Sequence, residues 1–333
     1  MNPATKDDLR ARLLARRQRL EEAVAEFKET SQLTQLLKEI DSALERMDKG
    51  PYGLCEICHE PIEEERLRSD PLVGNCLGCL TPDQQRALEQ DLDLASRIQT
   101  RLLPNKSLSF GSWRAYYHYE AAGPVSGDYC DLVRPETESG DLLFMLGDVS
   151  GKGVAASILM SHLHAIFHSL IDIGLAPDQL VQRANRIFCD NTVSANFATL
   201  VFGRAAKSGE VDICNAGHCS PLVVREEEIT SLESTGLPLG VLGSAEYKMN
   251  KVQLSPGDSL LLYSDGLIEA RDKSDIEYGT ERLAKFVRGH YRAAPKELIK
   301  VCLEDLKAFL SGARKTDDLT IMAIQRAKQA AKG

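Results

Sequence analysis

The chain has no excess of basic residues: 40 Lys and Arg stand against 49 Asp and Glu in 333 residues, for a net charge of -9 and an isoelectric point near 5.4. General binders of nucleic acid or of anionic membranes need a basic face, so this balance argues against both. No apolar run approaches the roughly 18 to 20 residues that span a bilayer. The opening stretch, MNPATKDDLRARLLARRQRL, is charged throughout and lacks the apolar core of a signal peptide, which gives the expectation of a cytoplasmic protein. A phosphate-cradling P-loop is missing too. It needs a glycine five residues before its Gly-Lys pair and Ser or Thr after it, and here Leu146 and Gly153 hold those places. Cys130, Cys189, Cys214, Cys219 and Cys302 lack the CX5R context of a cysteine nucleophile and read as core or incidental residues.

What is present centres on Leu142 to Gly153, LLFMLGDVSGKG. The apolar run Leu142 to Leu146 suits a buried strand, and it stops at Gly147-Asp148, so a carboxylate is delivered to the end of a stiff element. Gly147, Gly151 and Gly153 give a tight loop, and Val154 to Ile171 follows with helical periodicity. An aspartate at such a corner is by itself more often a turn residue than a ligand.

Residues 5 to 48 carry two apolar seams, Leu9, Leu13, Leu20, Ala23, Phe27 and then Leu33, Leu37, Ile40, Leu44, Met47, spaced by threes and fours as in a coiled coil. The phase slips around Glu29 to Gln32, which fits either a hairpin turn or one long helix with a local stammer. Two such seams favour a homodimer. After the break at Gly50-Pro51, Cys55 and Cys58 form one CxxC pair and Cys76 and Cys79 another, seventeen residues on. Two knuckles at this separation supply four thiolates to one tetrahedral Zn2+, a device of small modules that cannot build a large core. His59 lies beside a ligand, but four cysteines fill the shell.

The GxYGxCExC opening (Gly50, Tyr52, Gly53, Cys55, Glu56, Cys58), with Pro61-Ile62, Arg66-Leu67 and the gap between knuckles, resembles the DksA/TraR-type zinc finger. In that family a coiled-coil hairpin precedes the finger and an acidic tip reaches RNA polymerase. The corresponding EFKETSQLT lacks paired aspartates. Residues 83 to 103 then read as a helix with Leu88, Leu92, Ala95, Ile98 and Leu102 on a narrow stripe, free of Gly and ended by Pro104.

From Trp113 the texture changes to short strand-like runs, 113–122, 129–133, 142–146, 198–205, 211–215, 222–225 and 259–263, with helix pairs at about 154–172 and 177–190 and at about 280–289 and 295–311, then a last strand, 319–325. Blocks of strands beside blocks of helices indicate an α+β fold. Four aspartates sit at strand ends: Asp128 in VSGDYCD, Asp148 in LGDVSGKG, Asp265 in LLLYSDGLIEA and Asp317 in KTDDLTIM. With NAGH (Asn215 to His218) and GLPLGV (Gly236 to Val241) between them, the series resembles the metal-dependent Ser/Thr protein phosphatases (PPM family) in their SpoIIE/RsbU branch.

That resemblance implies an αββα sandwich, two antiparallel sheets flanked by helix pairs, with two Mn2+ or Mg2+ ions at one edge. Asp128, Asp148, Asp265 and Asp317 take the family's metal-ligand positions, and Val149 takes that of a backbone-carbonyl ligand. Asp131 and Asp318 are nearby carboxylates, Lys152 a loop cation and His218 a candidate proton relay or a satisfied turn residue. Carboxylates suit these hard cations, and a paired-ion site hydrolyses phosphate monoesters without a cysteine. The expected layout is a coiled-coil segment over 1–50, a four-cysteine zinc finger over 51–82, a linker helix over 83–104 and a phosphatase domain over 105–327. The expected substrate, from resemblance alone, is a phosphorylated STAS-type anti-anti-sigma protein. A DksA-like regulator that binds RNA polymerase is the alternative.

Overall fold

The computed structural model describes residues 3–26, 31–134, 141–192, 196–226, 228–313 and 315–328. The chain divides into two compact units, Met1–Asp91 and Leu92–Gly333. In the first, α1 (Pro3–Glu26) and α2 (Ser31–Lys49) lie antiparallel, so the phase slip marks a helical hairpin whose turn, residues 27–30, lies outside the described residues. Leu9 and Leu13 bury against Ile40, Ala43 and Met47, in one core with Tyr52, Cys55, Ile62, Leu67 and Cys76. Ion pairs Arg10–Asp48 (2.8 Å) and Arg17–Asp41 (2.7 Å) match this register. Being exposed, they specify alignment more than they stabilise. A short α3 (Glu64–Ser69) follows, and α4 (Pro82–Leu102) spans the division into the second unit.

The second unit holds two sheets. One is ordered β1 (Ser107–Phe110), β2 (Trp113–Glu120), β11 (Leu319–Arg326), β10 (Ser259–Tyr263), β7 (Leu222–Arg225), β8 (Glu228–Ser231). The other is β3 (Asp128–Val133), β4 (Leu142–Val149), β5 (Ala198–Ala205), β6 (Glu210–Ala216), β9 (Asn250–Gln253). Every neighbouring pair is antiparallel. Helices α5 (Gly153–Ile171) and α6 (Pro177–Asn191) cover the five-stranded sheet. Helices α8 (Thr280–Gly289) and α9 (Pro295–Leu310) cover the six-stranded one, and a single turn, α7 (Asp265–Ile268), follows β10. The result is the αββα sandwich.

Strand parity sorts side chains into three cores. In β4, Leu142, Phe144 and Leu146 point between the sheets, whereas Leu143, Met145 and Val149 point at the helices. In β10, Leu260 and Leu262 face the inter-sheet core and Leu261 and Tyr263 face α8 and α9. This is the two-residue period of a pleated strand. The expectation that no run approaches a bilayer span needs correction: α5 has the length and apolarity to cross one. Its burial explains the composition, since Ala156, Met160, Leu163, Phe167 and Leu170 pack on the sheet.

Candidate active site

The same parity builds the site. One step beyond the inter-sheet apolar residues, at one end of the sandwich, the positions become polar: Asp128 before Cys130 in β3, Asp148 after Leu146 in β4, Ser264 after Leu262 at the end of β10, and Thr320 before Met322 in β11. Asp128 and Asp148 are direct cross-strand partners. Gly147 is required beside them, because a Cβ there would lie 2.5 Å from the Thr199 carbonyl oxygen of β5.

Asp128 is buried, and its Oδ2 accepts hydrogen bonds from the hydroxyls of Ser264 (3.0 Å) and Thr320. Burial and the neighbouring charge of Asp148 nevertheless raise its pKa well above the usual carboxylate range. Asp148, Asp265 and Asp317 line a cavity of about 460 Å³ with Ser150, Lys152, Thr199, His218 and Cys219. Burial, then the charges of Asp265, Asp317 and Asp318, push Asp148 up to about 7, and Asp265 is raised by burial and by Asp317. Lys152, the one cation on the cavity wall among the described residues, donates to Asp317 Oδ2 at 2.8 Å and to the Thr316 carbonyl at 3.0 Å.

With Glu269 also on the wall, four carboxylates face one lysine among the described residues, a poor fit to themselves and a good fit to hard dications, which would cancel the repulsion. The aspartates do not converge on a single point. Among the described residues, only the four finger cysteines and Asp131, His164 and His168 bring three or more ligand atoms within 4.8 Å of one another. Val149 buries its side chain under α5, and its carbonyl lies 3.0 Å from where a Cβ on Gly127 would stand, so a side chain there would crowd it.

Two nearby carboxylates part ways. Asp318 accepts from the backbone N–H groups of Ala122 (2.7 Å) and Gly127 (2.8 Å) and so holds the loop that presents Asp128. Asp131 is three residues from Asp128, an odd number, and points to the opposite, helix-covered face, away from the cavity. His218 is buried, with Nδ1 2.8 Å from Thr199 Oγ1 and its backbone N–H on Asn215 Oδ1 (2.8 Å). Burial lowers its pKa to about 4, the Tyr263 carbonyl opposing, so the ring is neutral at pH 7 and is no general acid as it stands. Burial pushes the Cys219 thiol up to about 12, which leaves no thiolate in the cavity.

Sequence reasoning missed Gln99. It is buried at the end of α4, where its side chain donates to the Ser126 carbonyl (2.6 Å) and accepts from the Ser126 N–H (3.0 Å). Ser126 Oγ in turn accepts from the N–H of Asp128 (3.0 Å). The signal available was a polar residue one place beyond Ile98, which is itself exposed rather than on a packed stripe.

In the first unit the four cysteine sulfurs lie within 4.8 Å of one another, with Cys58 and Cys76 Sγ 3.6 Å apart. A Zn–S bond of about 2.3 Å gives a tetrahedral edge of about 3.8 Å, so the donor set fits zinc. Burial works against ionisation of Cys55, but backbone N–H groups of Cys58, Cys76 and Ile57 outweigh it and lower the pKa.

Comparison with known proteins matches this geometry. Residues 50–85 match the prokaryotic dksA/traR C4-type zinc finger. Phosphoserine phosphatase RsbU of Bacillus subtilis is 26% identical over 250 residues, 73% of this chain and 72% of RsbU. The RsbU and RsbW domains of a Mycobacterium tuberculosis protein are 27% identical with a TM-score of 0.57, over 67% of this chain and 62% of that one. The SiaA-PP2C domain of Pseudomonas aeruginosa has a TM-score of 0.64 at 22% identity, over 72% of this chain and 98% of that one, a likeness of fold. Because the family model for Stage II sporulation protein E spans residues 138–327, more than half the chain and three of the four strand-end aspartates, the chain belongs to the SpoIIE family of PP2C-type Ser/Thr phosphatases.

Proposed function

We propose that the second unit hydrolyses phosphoserine or phosphothreonine on a partner protein, with Asp128, Asp148, Asp265 and Asp317, and the Val149 carbonyl, holding two Mn2+ or Mg2+ ions. The observation that carries this reading is the cavity wall, where burial and mutual repulsion hold Asp148 at about 7 and Lys152 is the one lysine among the described residues that line it. The chemistry such ions supply is neutralisation of the phosphoryl oxygens and a lowered pKa for a water nucleophile. The chain's own residues do the positioning. Ser264 and Thr320 fix Asp128, Asp318 fixes the loop before it, and Lys152 places a cation where a phosphoryl group would enter. His218, neutral, offers a hydrogen bond rather than a proton.

A protein substrate suits the rim. Phe197 lines the cavity and is exposed, and the loop paired to it through Ala198 and Leu239 exposes Leu237, Val241 and Leu242. The RsbU likeness supports a phosphorylated STAS-type antagonist of an anti-sigma factor as that substrate. The zinc module then regulates, docks or dimerises the enzyme. The test is hydrolysis of p-nitrophenyl phosphate and of a phosphoserine STAS protein with and without Mn2+. Mn-dependent turnover abolished by Asp148→Asn is expected, and metal-independent turnover, or turnover that survives the substitution, overturns the reading.

A further inference from the structure

The helix-covered face of the five-stranded sheet holds a cluster that the cavity does not use. His164 and His168 sit four apart on α5, hence on one helical face, and their rings stack with centroids 4.1 Å apart. Opposite them is Asp131 of β3, its side chain 5% exposed, with Oδ2 2.6 Å from His168 Nε2 and 4.0 Å from His164 Nε2. Asp131 Oδ1 accepts the Leu132 N–H (2.7 Å), and the Tyr129 hydroxyl donates towards Oδ2 (3.4 Å). The carboxylate is thus oriented from behind.

An imidazolium–carboxylate pair accounts for His168 and Asp131 but not for His164. A second protonated ring stacked on the first is repelled, and burial followed by the charge on His168 lowers the His164 pKa. One anion and two neutral imidazoles are instead the donor set of a borderline dication. Zn–N and Zn–O bonds of about 2.0–2.2 Å place neighbouring donors about 3.4 Å apart, between the two Asp131–His separations, and all three donor atoms already lie within 4.8 Å of one another. The Leu102 backbone, at the end of α4, opposes the lowering of the His164 pKa. Partial exposure, 18% for His164 and 43% for His168, leaves a path for the ion and room for water as a further ligand.

We propose that Asp131, His164 and His168 form a transition-metal site, for Zn2+ or an ion of similar preference, that ties α5 to β3. Its residues are used by neither the cavity nor the cysteine finger, and its existence does not depend on the reaction assigned to the cavity. The experiment is equilibrium dialysis of the full chain, its finger loaded with zinc and millimolar Mg2+ present to occupy oxygen-only sites, against micromolar Zn2+ at pH 7.5, with metal content measured. One zinc beyond the finger's is expected, lost in His168→Gln and in His164→Gln with circular dichroism unchanged. Because His168 is half exposed, its substitution is expected to leave folding intact, and Asp131→Asn provides a third variant. Co2+ added to the zinc-loaded protein should give d–d absorption without a thiolate charge-transfer band. A wild type that holds only the finger's zinc, or an extra zinc that survives both histidine substitutions, overturns the proposal.

Discussion

At Asp148 the carboxyl titrates near 7 in the folded protein, against an ordinary 3.8, because it is buried among like charges. A group raised by folding stabilises the folded state below its unfolded pKa, and that contribution is lost as pH climbs through the folded one. Metal-free protein should therefore lose thermal stability between about pH 4 and pH 8, by on the order of a few kcal/mol. Asp148→Asn should flatten that decline, and Mg2+ should raise the melting temperature more at pH 8 than at pH 5. Melting curves across pH decide it: a decline as steep in the variant as in wild type places the charge strain elsewhere. Asp148, Asp265 and Asp317 were legible in the sequence because each ends an apolar run or stands in a motif. Ser264, Thr320 and Gln99 were not, since their roles exist only through partners on distant strands and loops. Asp131 was misplaced for a plainer reason: three residues along a strand is the opposite face.

Among the elements, α7 is a single four-residue turn under tight constraint. A Cβ on Gly266 would fall 1.9 Å from the Asp318 carbonyl oxygen, so the turn carrying Asp265 is pressed against the segment carrying Asp317 and Asp318. Gly266→Ala should push α7 outward, costing about 1–3 kcal/mol and most of the metal-dependent turnover. Gly289→Ala, at the end of α8 with nothing within 4 Å, should change stability by less than about 1 kcal/mol and leave turnover alone. Equal effects of the two on denaturant unfolding and turnover would refute the packing argument. The central strands and four packed helices could be read from periodicity and apolar runs. β1, β8 and β9 could not, because four-residue, largely exposed strands carry no apolar run. β4 extends past the expected Leu146 to Val149 because β3 and β5 both pair with Gly147 and Asp148.

For the whole molecule, the first unit's core contains Cys55 and Cys76, with Cys79 packed against it, so an ion held by the four cysteines should contribute to its stability. Removing zinc from the full chain, with Mg2+ present, should lower or abolish a calorimetric transition of residues 1–91 and leave that of residues 92–333 in place. A single transition that shifts as one would mean the units melt together. The four-layer architecture came from motif resemblance, and strand order was beyond the sequence, since nothing local in β11 says that it lies between β2 and β10. That placement carries a consequence in time. β11 pairs Leu319 with Glu120 and Ile321 with His118, across some two hundred residues of intervening chain. During synthesis β2, β3, β4 and every helix of this unit emerge before the strand that joins β2 to β10, and Thr320, Asp317 and Asp318 arrive with it. Long-range pairing of this kind is slow to form. A nascent chain can thus build most of its helices and its five-stranded sheet while still lacking the residues that hold Asp128 in place, and the phosphatase becomes competent only when its last strand is seated.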